Sequence, residues 1–188
     1  MSLTELIKNR RTIYQFIEKE VSLDLIQSFI EAAIYAPNHK LTEPWQFLII
    51  GNNTQENIAK IYAENRALKY QVEDSEGYKK AFDKSLDKFC SIPQIVFVVQ
   101  NLDEDSITSK EDYAACSCAI QNFQLAAWEK GVGVQWSSGP ILKDSRTFDI
   151  LSLDSNKHEL IAALYIGYPH AVGTTQRKEV SEVIKHFD

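Results

Sequence analysis

Four short runs of apolar residues constrain the fold of this chain most strongly. They are Trp45–Ile50, Ile95–Val99, Val132–Trp136 and Leu160–Ile166, and each is apolar at nearly every position. A strand with one face in water alternates apolar and polar residues, whereas a strand covered on both faces is apolar throughout. The four runs therefore predict a buried sheet with other elements packed on both of its faces.

Five segments with helical spacing of apolar residues surround these strands, at about 3–9, 22–36, 54–72, 76–89 and 108–130. Ser22 is a suitable N-cap for the second helix, and Pro37 should end it, because the residue before proline disfavours helical dihedrals. Thr108 and Glu111 have the spacing of a capping box, and Gly131 is a C-terminal stop, so the fifth helix is expected to be the central core helix. Together these elements predict a three-layer α+β or α/β domain.

The composition excludes several classes of protein. The chain has 188 residues, a net charge of −6 and a pI near 5.3, which argue against a nucleic acid or an anionic membrane as the main partner. No apolar run approaches the roughly 20 residues of a membrane span, and the N-terminus lacks the order of a signal peptide. Three cysteines without a C-x-x-C pair fit a reducing compartment, so we expect a cytoplasmic protein.

The common catalytic signatures are missing from the sequence. It contains no G-x-S-x-G, no H-E-x-x-H and no Walker phosphate loop. The four histidines do not pair at i+3 or i+4, so we expect no metal centre. The G-x-G of residues 131–133 follows a helix and enters a strand, which is the opposite order to a dinucleotide fingerprint.

Three polar stretches could carry chemistry or could be ordinary local structure. Arg10, Arg11 and Thr12 could form a fork for a phosphate, or the arginines could simply complement a helix dipole. The WSSGP turn at 136–140 could present backbone N–H groups to a ligand, or it could be a plain β-turn. The polar loop NHKLTE at 38–43, between Pro37 and Pro44, could be a satisfied connection or the wall of a site.

The order of these motifs resembles that of a known family. Arg-Arg-Thr, then Ala-Pro-x-His-x-x-x-x-Pro-Trp-x-Phe, then Gly-x-Gly-x-x-Trp and finally Ile-Gly-Tyr-Pro are similar to the nitroreductase family of FMN-dependent oxidoreductases. The short bacterial members with an A-P-x-H-K segment are the most similar. The resemblance implies a homodimer with an α+β fold, whose central mixed sheet is flanked by helices, and with FMN bound at the subunit interface.

The resemblance also implies a division of the chain. Residues 1–170 would form the FMN-binding domain, and residues 171–188 would form an arm that crosses to the partner subunit. The tail has basic residues and then an alternation that weakly suggests a strand. Arg177, in this tail, matches a late basic position of the family that helps to hold the FMN phosphate.

The remaining site residues are assigned by the same resemblance. Arg10, Arg11 and Thr12 match the segment that binds the phosphate and the pyrimidine edge of the flavin. His39 and Glu43 match the loop that lines the flavin, contributed by the partner subunit. The turn whose backbone donors approach the reactive flavin edge corresponds to Trp136, Ser137, Ser138 and Gly139. A positive charge near the ring carbonyl would come from Lys84 or Lys88.

Three positions depart from the family pattern. Tyr14 stands where many members have Arg or Lys, and Leu41 and Glu43 replace Asn and Gln in the loop before Pro-Trp. A carboxylate cannot donate a hydrogen bond unless it is protonated, so Glu43 either accepts from a ribityl hydroxyl or a backbone N–H, or faces away. These changes bear mainly on the choice of substrate.

The implied activity is a ping-pong reaction. NAD(P)H, a transient co-substrate, would reduce tightly bound FMN, and a nitroaromatic, quinone or enone would then be reduced in the same place. No catalytic side chain is expected, because the flavin carries the chemistry. The alternatives are a specialised flavin enzyme such as a dehydrogenase or dehalogenase, an FMN-binding protein with little turnover, and a scaffold without cofactor.

Overall fold

The computed structural model describes residues 2–68 and 75–187. Its helices are α1 (Leu3–Asn9), α2 (Leu23–Ala33), α3 (Asn52–Leu68), α4 (Glu76–Cys90), α5 (Ser106–Glu129) and α6 (Ser145–Ile150). Its strands are β1 (Trp45–Ile50), β2 (Gln94–Asn101), β3 (Gly133–Ser137) and β4 (His158–Gly167). The four predicted strands and five predicted helices are confirmed, although residues 69–72 of the predicted third helix lie outside the described residues. The short helix α6 is an addition to the prediction.

The four strands form one sheet in the order β1-β2-β4-β3, and every neighbouring pair is antiparallel. The expectation of a mixed sheet is corrected in this respect. The single helix α5 returns the chain so that β3 runs parallel to β2, but β4 inserts between them and is antiparallel to both. Within the described residues, the isolated bridge of Thr12 with Val134 is the one case of parallel pairing.

Both faces of the sheet are covered, as the apolar runs predict. Val96 and Leu164 belong to a cluster with residues of α2 and α5, on one side of the sheet. Ile95 and Phe97 belong to a second cluster with residues of α3 and α4, on the other side. Successive residues of a strand point to opposite faces, so the same apolar strand serves both clusters. The three-layer α+β architecture is therefore confirmed.

Helix α5 is the central core helix, with eight buried residues, and its ends are capped differently from each other. Its N-cap is Asp105, whose carboxylate accepts from the N–H of Thr108 at 3.0 Å and from its hydroxyl at 2.8 Å. The predicted capping box at Thr108 is therefore wrong, because the helix begins one turn earlier. At the other end, Gly131 has φ +73° and Val132 donates its N–H to the carbonyl of Ala127 at 2.9 Å, which confirms the predicted stop.

Two other boundaries differ from the prediction. Ser22 caps α2 as expected by accepting from the N–H of Leu25, but the helix ends at Ala33, three residues before Ala36. Residues 171–187 are exposed and contain a 3₁₀ turn at Val180–Glu182 rather than the strand that their alternation suggests. A strand needs a neighbouring strand for its backbone hydrogen bonds, and this segment pairs with none in the described chain. No helix in the described ranges has the length and apolar character needed to cross a bilayer.

Two glycines let the N-terminal segment lie on the sheet. A Cβ on Gly133 would collide with the side chain of Ile13, and a Cβ on Gly167 would lie 2.9 Å from the ring of Phe16. Ile13 is buried and Phe16 is partly buried, so neither the Ile13 side chain nor the Phe16 ring can move into water to make room for a Cβ. The segment that follows α1 is thus held against the ends of β3 and β4.

The substitution Gly133→Ala tests this contact. We expect a loss of about 1–3 kcal/mol in the free energy of unfolding, because the added methyl overpacks a filled site. Chemical denaturation of the purified variant measures it. Gly173→Ala is the matched control: a Cβ there meets no atom within 4 Å, so its effect should stay within about 0.5 kcal/mol. Equal stabilities of the two variants would contradict the close approach at Gly133.

Candidate functional site

The segment after α1 carries the first group of site residues. Helix α1 ends at Asn9, and Arg10 is its C-cap with an extended ψ of 132°. Thr12 then forms its bridge with Val134, and the N–H of Ile13 donates to the Val134 carbonyl at 3.3 Å. Because Ile13 is anchored in the core, the backbone of Arg10 and Arg11 lies at a fixed place beside the edge strand β3.

The chain after β4 returns to the same place. Phe16 bridges Pro169, the N–H of Ile17 donates to Tyr168 at 3.0 Å, and the N–H of His170 donates to Gln15 at 3.0 Å. The ammonium of Lys19 lies 3.8 Å from the centre of the Tyr168 ring, a cation–π contact. These contacts pair residues 15–19 with residues 168–170, and they direct the tail toward α1.

A cleft of about 490 Å³ lies where the tail meets the N-terminal segment. Three guanidinium groups reach it, and the other lining residues are polar or small; the lining consists of Arg10, Arg11, Thr12, Tyr14, Gln15, Ala171, Gly173, Thr174, Thr175 and Arg177. Burial lowers the pKa of Arg10, and the positive charges of Arg177 and Arg11 lower it further. The structure therefore brings together the predicted residues Arg10, Arg11, Thr12 and Arg177.

The three guanidinium groups of this cleft make hydrogen bonds to neutral acceptors. Arg10 donates to the side-chain oxygen of Gln124 at 3.1 Å, and Arg11 donates to the carbonyls of Lys8 and Arg10 at 2.6 and 2.9 Å. Arg177 donates to the hydroxyl of Thr175 at 3.4 Å. Within the described ranges, no carboxylate lies within 4 Å of any of the three. In the part of the chain that the structure describes, these three cations have no counter-charge, an arrangement that suits an anion with more than one charge.

A larger cleft of about 1150 Å³ adjoins the first, because Tyr14 and Gln15 line both. Lys84 and Lys88 line this larger cleft together, so the structure places both candidate lysines at it. Tyr165 of β4, which is 5 % exposed, also lines this cleft. The hydroxyl of Tyr165 has no partner at hydrogen-bond distance in the described chain, although Ser137 is near enough to oppose the rise in the pKa of Tyr165 that burial causes.

The loop between α2 and β1 is held in an unusual conformation. Lys40, Leu41 and Glu43 all have left-handed backbone angles, with φ of 53°, 54° and 42°. Such angles are unfavourable for residues other than glycine, so the surroundings must impose them. Asn38 accepts from the N–H of Glu43 at 3.0 Å, and the hydroxyl of Thr42 donates at 2.6 Å to the buried carboxylate of Asp112 on α5.

This loop does not lie at the arginine cleft of the same chain. It is fixed to Asp112, whereas Arg10 contacts Gln124, and twelve residues of helix separate these positions by about 18 Å. His39 and Glu43 are exposed on the loop. Within one chain, the structure therefore places these two predicted residues away from Arg10 and Arg177.

The turn after β3 forms part of a third cleft of about 490 Å³, which Ser138 and Gly139 line with Asn65, Pro140, Lys143 and Asp144. Ser137 is the last residue of β3, and the indole N–H of Trp136 donates to the carbonyl of Ile161 at 3.3 Å. Trp136 packs against the core on the α5 side of the sheet. In this chain the four predicted residues of the turn do not line the arginine cleft.

Several residues at or beside the clefts do not belong to any sequence motif. Tyr165, which lines the larger cleft, belongs to a core strand, and Gln124, which contacts Arg10 but lines no cleft, belongs to a core helix; in both elements the sequence pattern indicates packing alone. Gln135 lines the larger cleft from the middle of β3, and Thr174 and Thr175 line the arginine cleft from the tail. The one signal in the sequence is a polar residue within an apolar run, as at Gln135 and Gln124.

The fold and the clefts define an α+β protein with an arginine-lined cleft beside the edge strand of its sheet. The sequence profile of the nitroreductase family matches residues 7–168. A Bacillus subtilis protein with the provisional name NAD(P)H nitroreductase YfhC is 35% identical over 168 residues, which cover 89% of this chain and 84% of that protein. The chain therefore belongs to the nitroreductase family of oxidoreductase enzymes.

Solved structures agree with this assignment. A nitroreductase-like family protein from Bacillus cereus superposes with a TM-score of 0.85 at 30% identity, covering 100% of this chain and 97% of that one. An iodotyrosine deiodinase described as bound to FMN and 3-iodo-L-tyrosine has a TM-score of 0.77 at 21% identity, covering 100% and 99% of the two chains. The second likeness, at this low identity, speaks for the fold alone.

Proposed function

We propose that this chain is an FMN-dependent oxidoreductase that uses NAD(P)H to reduce a nitroaromatic, quinone or enone by a ping-pong mechanism. The observation that carries the proposal is the cleft of Arg10, Arg11 and Arg177, three cations with neutral partners, in a member of the nitroreductase family. A phosphate monoester carries nearly two negative charges at neutral pH, which suits such a cleft. The provisional name of the Bacillus subtilis relative and the FMN named for the deiodinase structure support the choice of cofactors.

Arg10, Arg11 and Arg177 would bind the phosphate of FMN, with the hydroxyl of Thr12 as a further donor. The larger cleft, which shares Tyr14 and Gln15 with the first, would take the ring system. There Lys84 or Lys88 would place a positive charge beside a ring carbonyl. Bound FMN would supply the two-electron chemistry between NAD(P)H and the acceptor, so no side chain has to act as a nucleophile.

The turn at 136–139 would supply donors at the reactive edge of the ring. Gln135, which lines the larger cleft, is three residues from Ser138, or about 10 Å along an extended chain. The backbone N–H groups of Ser138 and Gly139 are therefore within a short distance of the larger cleft. Preorganised donors of this kind stabilise negative charge as it develops.

A homodimer would complete the site, with residues 1–170 as the FMN-binding domain and residues 171–188 as an arm to the partner subunit. The tail supports this proposal through its exposed apolar side chains: Val180 is 65% exposed, Val183 69% and Phe187 89%. His39 and Glu43 would then face the ring from the partner subunit, since they lie far from the arginine cleft of their own chain. The strained, anchored loop supports this role.

A second candidate is reductive dehalogenation on the same fold, because an iodotyrosine deiodinase of Hydra vulgaris is 25% identical in sequence over 95% of this chain. The departures at Tyr14, Leu41 and Glu43 bear on this choice of acceptor. The same reduced protein should then release halide from a halophenol faster than it consumes a nitroaromatic.

All three cysteines are free, which supports the cytoplasmic location that we also propose.

The substitution Arg10→Ala tests the phosphate site. We expect the affinity for FMN to fall by about 10- to 100-fold, because charge-assisted hydrogen bonds to the phosphate are lost. Titration of the apoprotein with FMN measures the change. Riboflavin, which lacks the phosphate, should bind the variant and the wild type equally. Lys60→Ala, on the exposed side of α3, is the charge-matched control. Full FMN retention by the Arg10 variant on dilution would refute the role of Arg10.

Anaerobic mixing of the FMN-loaded protein with NADH or NADPH tests the reaction. We expect rapid bleaching of the flavin absorbance and its return when a nitroaromatic or quinone is added. A second addition of reductant after washing should repeat the cycle, as a ping-pong mechanism requires. Protein that holds FMN but does not bleach would instead be a flavin-binding protein with little turnover.

Mixing of two variants tests the shared site. Arg10→Ala should damage one half of each site, and the double change His39→Ala with Glu43→Ala the other half. If two subunits build each site, re-assorted mixed dimers regain one intact site, or about a quarter of all sites in an equal mixture. Tight FMN binding should return to that extent, as measured by filtration. Light scattering that finds a monomer with tightly bound FMN would exclude the interfacial site.

A further inference from the structure

We propose that Gln124 is a positioning residue that aims the guanidinium of Arg10 into the anion cleft while leaving its charge uncompensated. The inference rests on the proposed function, because it assigns the cleft of Arg10, Arg11 and Arg177 to the phosphate of FMN. It adds a residue from α5 that does not line the cleft itself and that no motif indicates.

The geometry of this contact is specific. Arg10 donates from Nη1 to the side-chain oxygen of Gln124 at 3.1 Å. A guanidinium group can only donate, so the amide oxygen rather than the amide nitrogen must face it. Gln124 is 6% exposed, and its neighbour Phe123 is fully buried in the core of the sheet. The acceptor is therefore fixed in position by the packing of a long helix.

The charge of the acceptor matters as much as its position. Burial, Arg177 and Arg11 all lower the pKa of Arg10, so the protein holds this cation in unfavourable surroundings. A carboxylate at position 124 would relieve that cost by pairing with Arg10. It would also compete with an incoming phosphate for the same donors. An amide orients the guanidinium without this competition.

Arg146 provides a contrast within the same protein. Its guanidinium pairs with Asp144 at 2.9 Å and with Glu64 at 2.5 Å, and these partners raise the pKa of Arg146. This arginine joins α6 to α3 and has its charge balanced by the protein. Arg146, which is structural, is thus paired with carboxylates, whereas Arg10 in the cleft is paired with an amide.

Two variants of nearly the same size as glutamine separate position from charge. Gln124→Glu keeps an oxygen acceptor but adds a negative charge, and Gln124→Met removes the acceptor. We expect Gln124→Glu to lose FMN affinity by about tenfold or more, and Gln124→Met by about fivefold. Riboflavin affinity should stay within about twofold of the wild type, since only the phosphate meets Arg10. Gln27→Glu, exposed on α2, is the control for net charge and should match the wild type.

Titrations of the folded apoproteins with FMN and with riboflavin decide the matter. A lower ratio of FMN to riboflavin affinity in Gln124→Glu supports the inference. Where the wild type prefers FMN to riboflavin, an unchanged ratio overturns the inference, and a ratio left unchanged by an equal loss for both ligands would indicate a packing role alone. If Gln124→Glu fails to fold, the ratio for Gln124→Met decides in the same way.

Inorganic phosphate separates this inference from the proposed function. Phosphate should raise the melting temperature of the wild type more than that of Arg10→Ala. The rise in the Arg10→Ala variant measures the non-specific effect of the salt. If phosphate raises the melting temperature of Gln124→Glu no more than that of Arg10→Ala, the positioning role holds. If the wild type also shows no preference for FMN over riboflavin, the proposed function fails while the positioning role stands. If Gln124→Glu responds like the wild type, or the wild type responds no more than Arg10→Ala, the positioning role is wrong.

Discussion

The contact of Ile13 with Gly133 is the constraint on which the candidate site depends. It holds the segment after α1 against the edge strand β3, and the second such contact, Phe16 with Gly167, holds the segment against the end of β4. Since Tyr168 and His170 pair with the same segment, the tail is directed back toward α1. Two glycines therefore determine that the first and last basic clusters of the chain share one cleft.

The electrostatics of that cleft oppose the stability of the free protein. Burial, together with the nearby positive charges of Arg177 and Arg11, lowers the pKa of Arg10 and raises the free energy of the folded state. The dianion of the proposed cofactor would reverse the balance, because it would interact with the folded state and not with the unfolded chain. The fold thus supports a cluster that is unfavourable when empty of anion, and the rigid packing of α5 and β3 is what keeps the cluster from dispersing.

Local patterns predicted the elements of this fold well, and long-range arrangement poorly. The apolar runs and helical stripes identified every strand and all but one of the helices, because burial on a sheet or helix face imposes a period on the sequence. The N-cap of α5 was misplaced because Asp105 and Thr108 both suit that role, and only the geometry distinguishes them. The antiparallel sheet depends on where β4 inserts, which no local pattern encodes. Arg10, Arg11, Thr12 and Arg177 could be grouped through family resemblance, whereas Gln124 could not, because it belongs to no motif and lies within the apolar pattern of a core helix.

The loop at 38–43 combines strain and exposure in a way that a simple connection does not require. Left-handed angles at three residues cost about 1 kcal/mol or more each, and Leu41 is 80% exposed in the single chain. The hydrogen bonds at Asn38 and Thr42 and the buried ring of Pro44 fix the loop in this shape. Strain that is maintained by dedicated anchors is typical of a loop whose shape is used in function. The proposed homodimer, with the larger cleft of one subunit facing the loop of the other, would use the shape and cover the leucine at once.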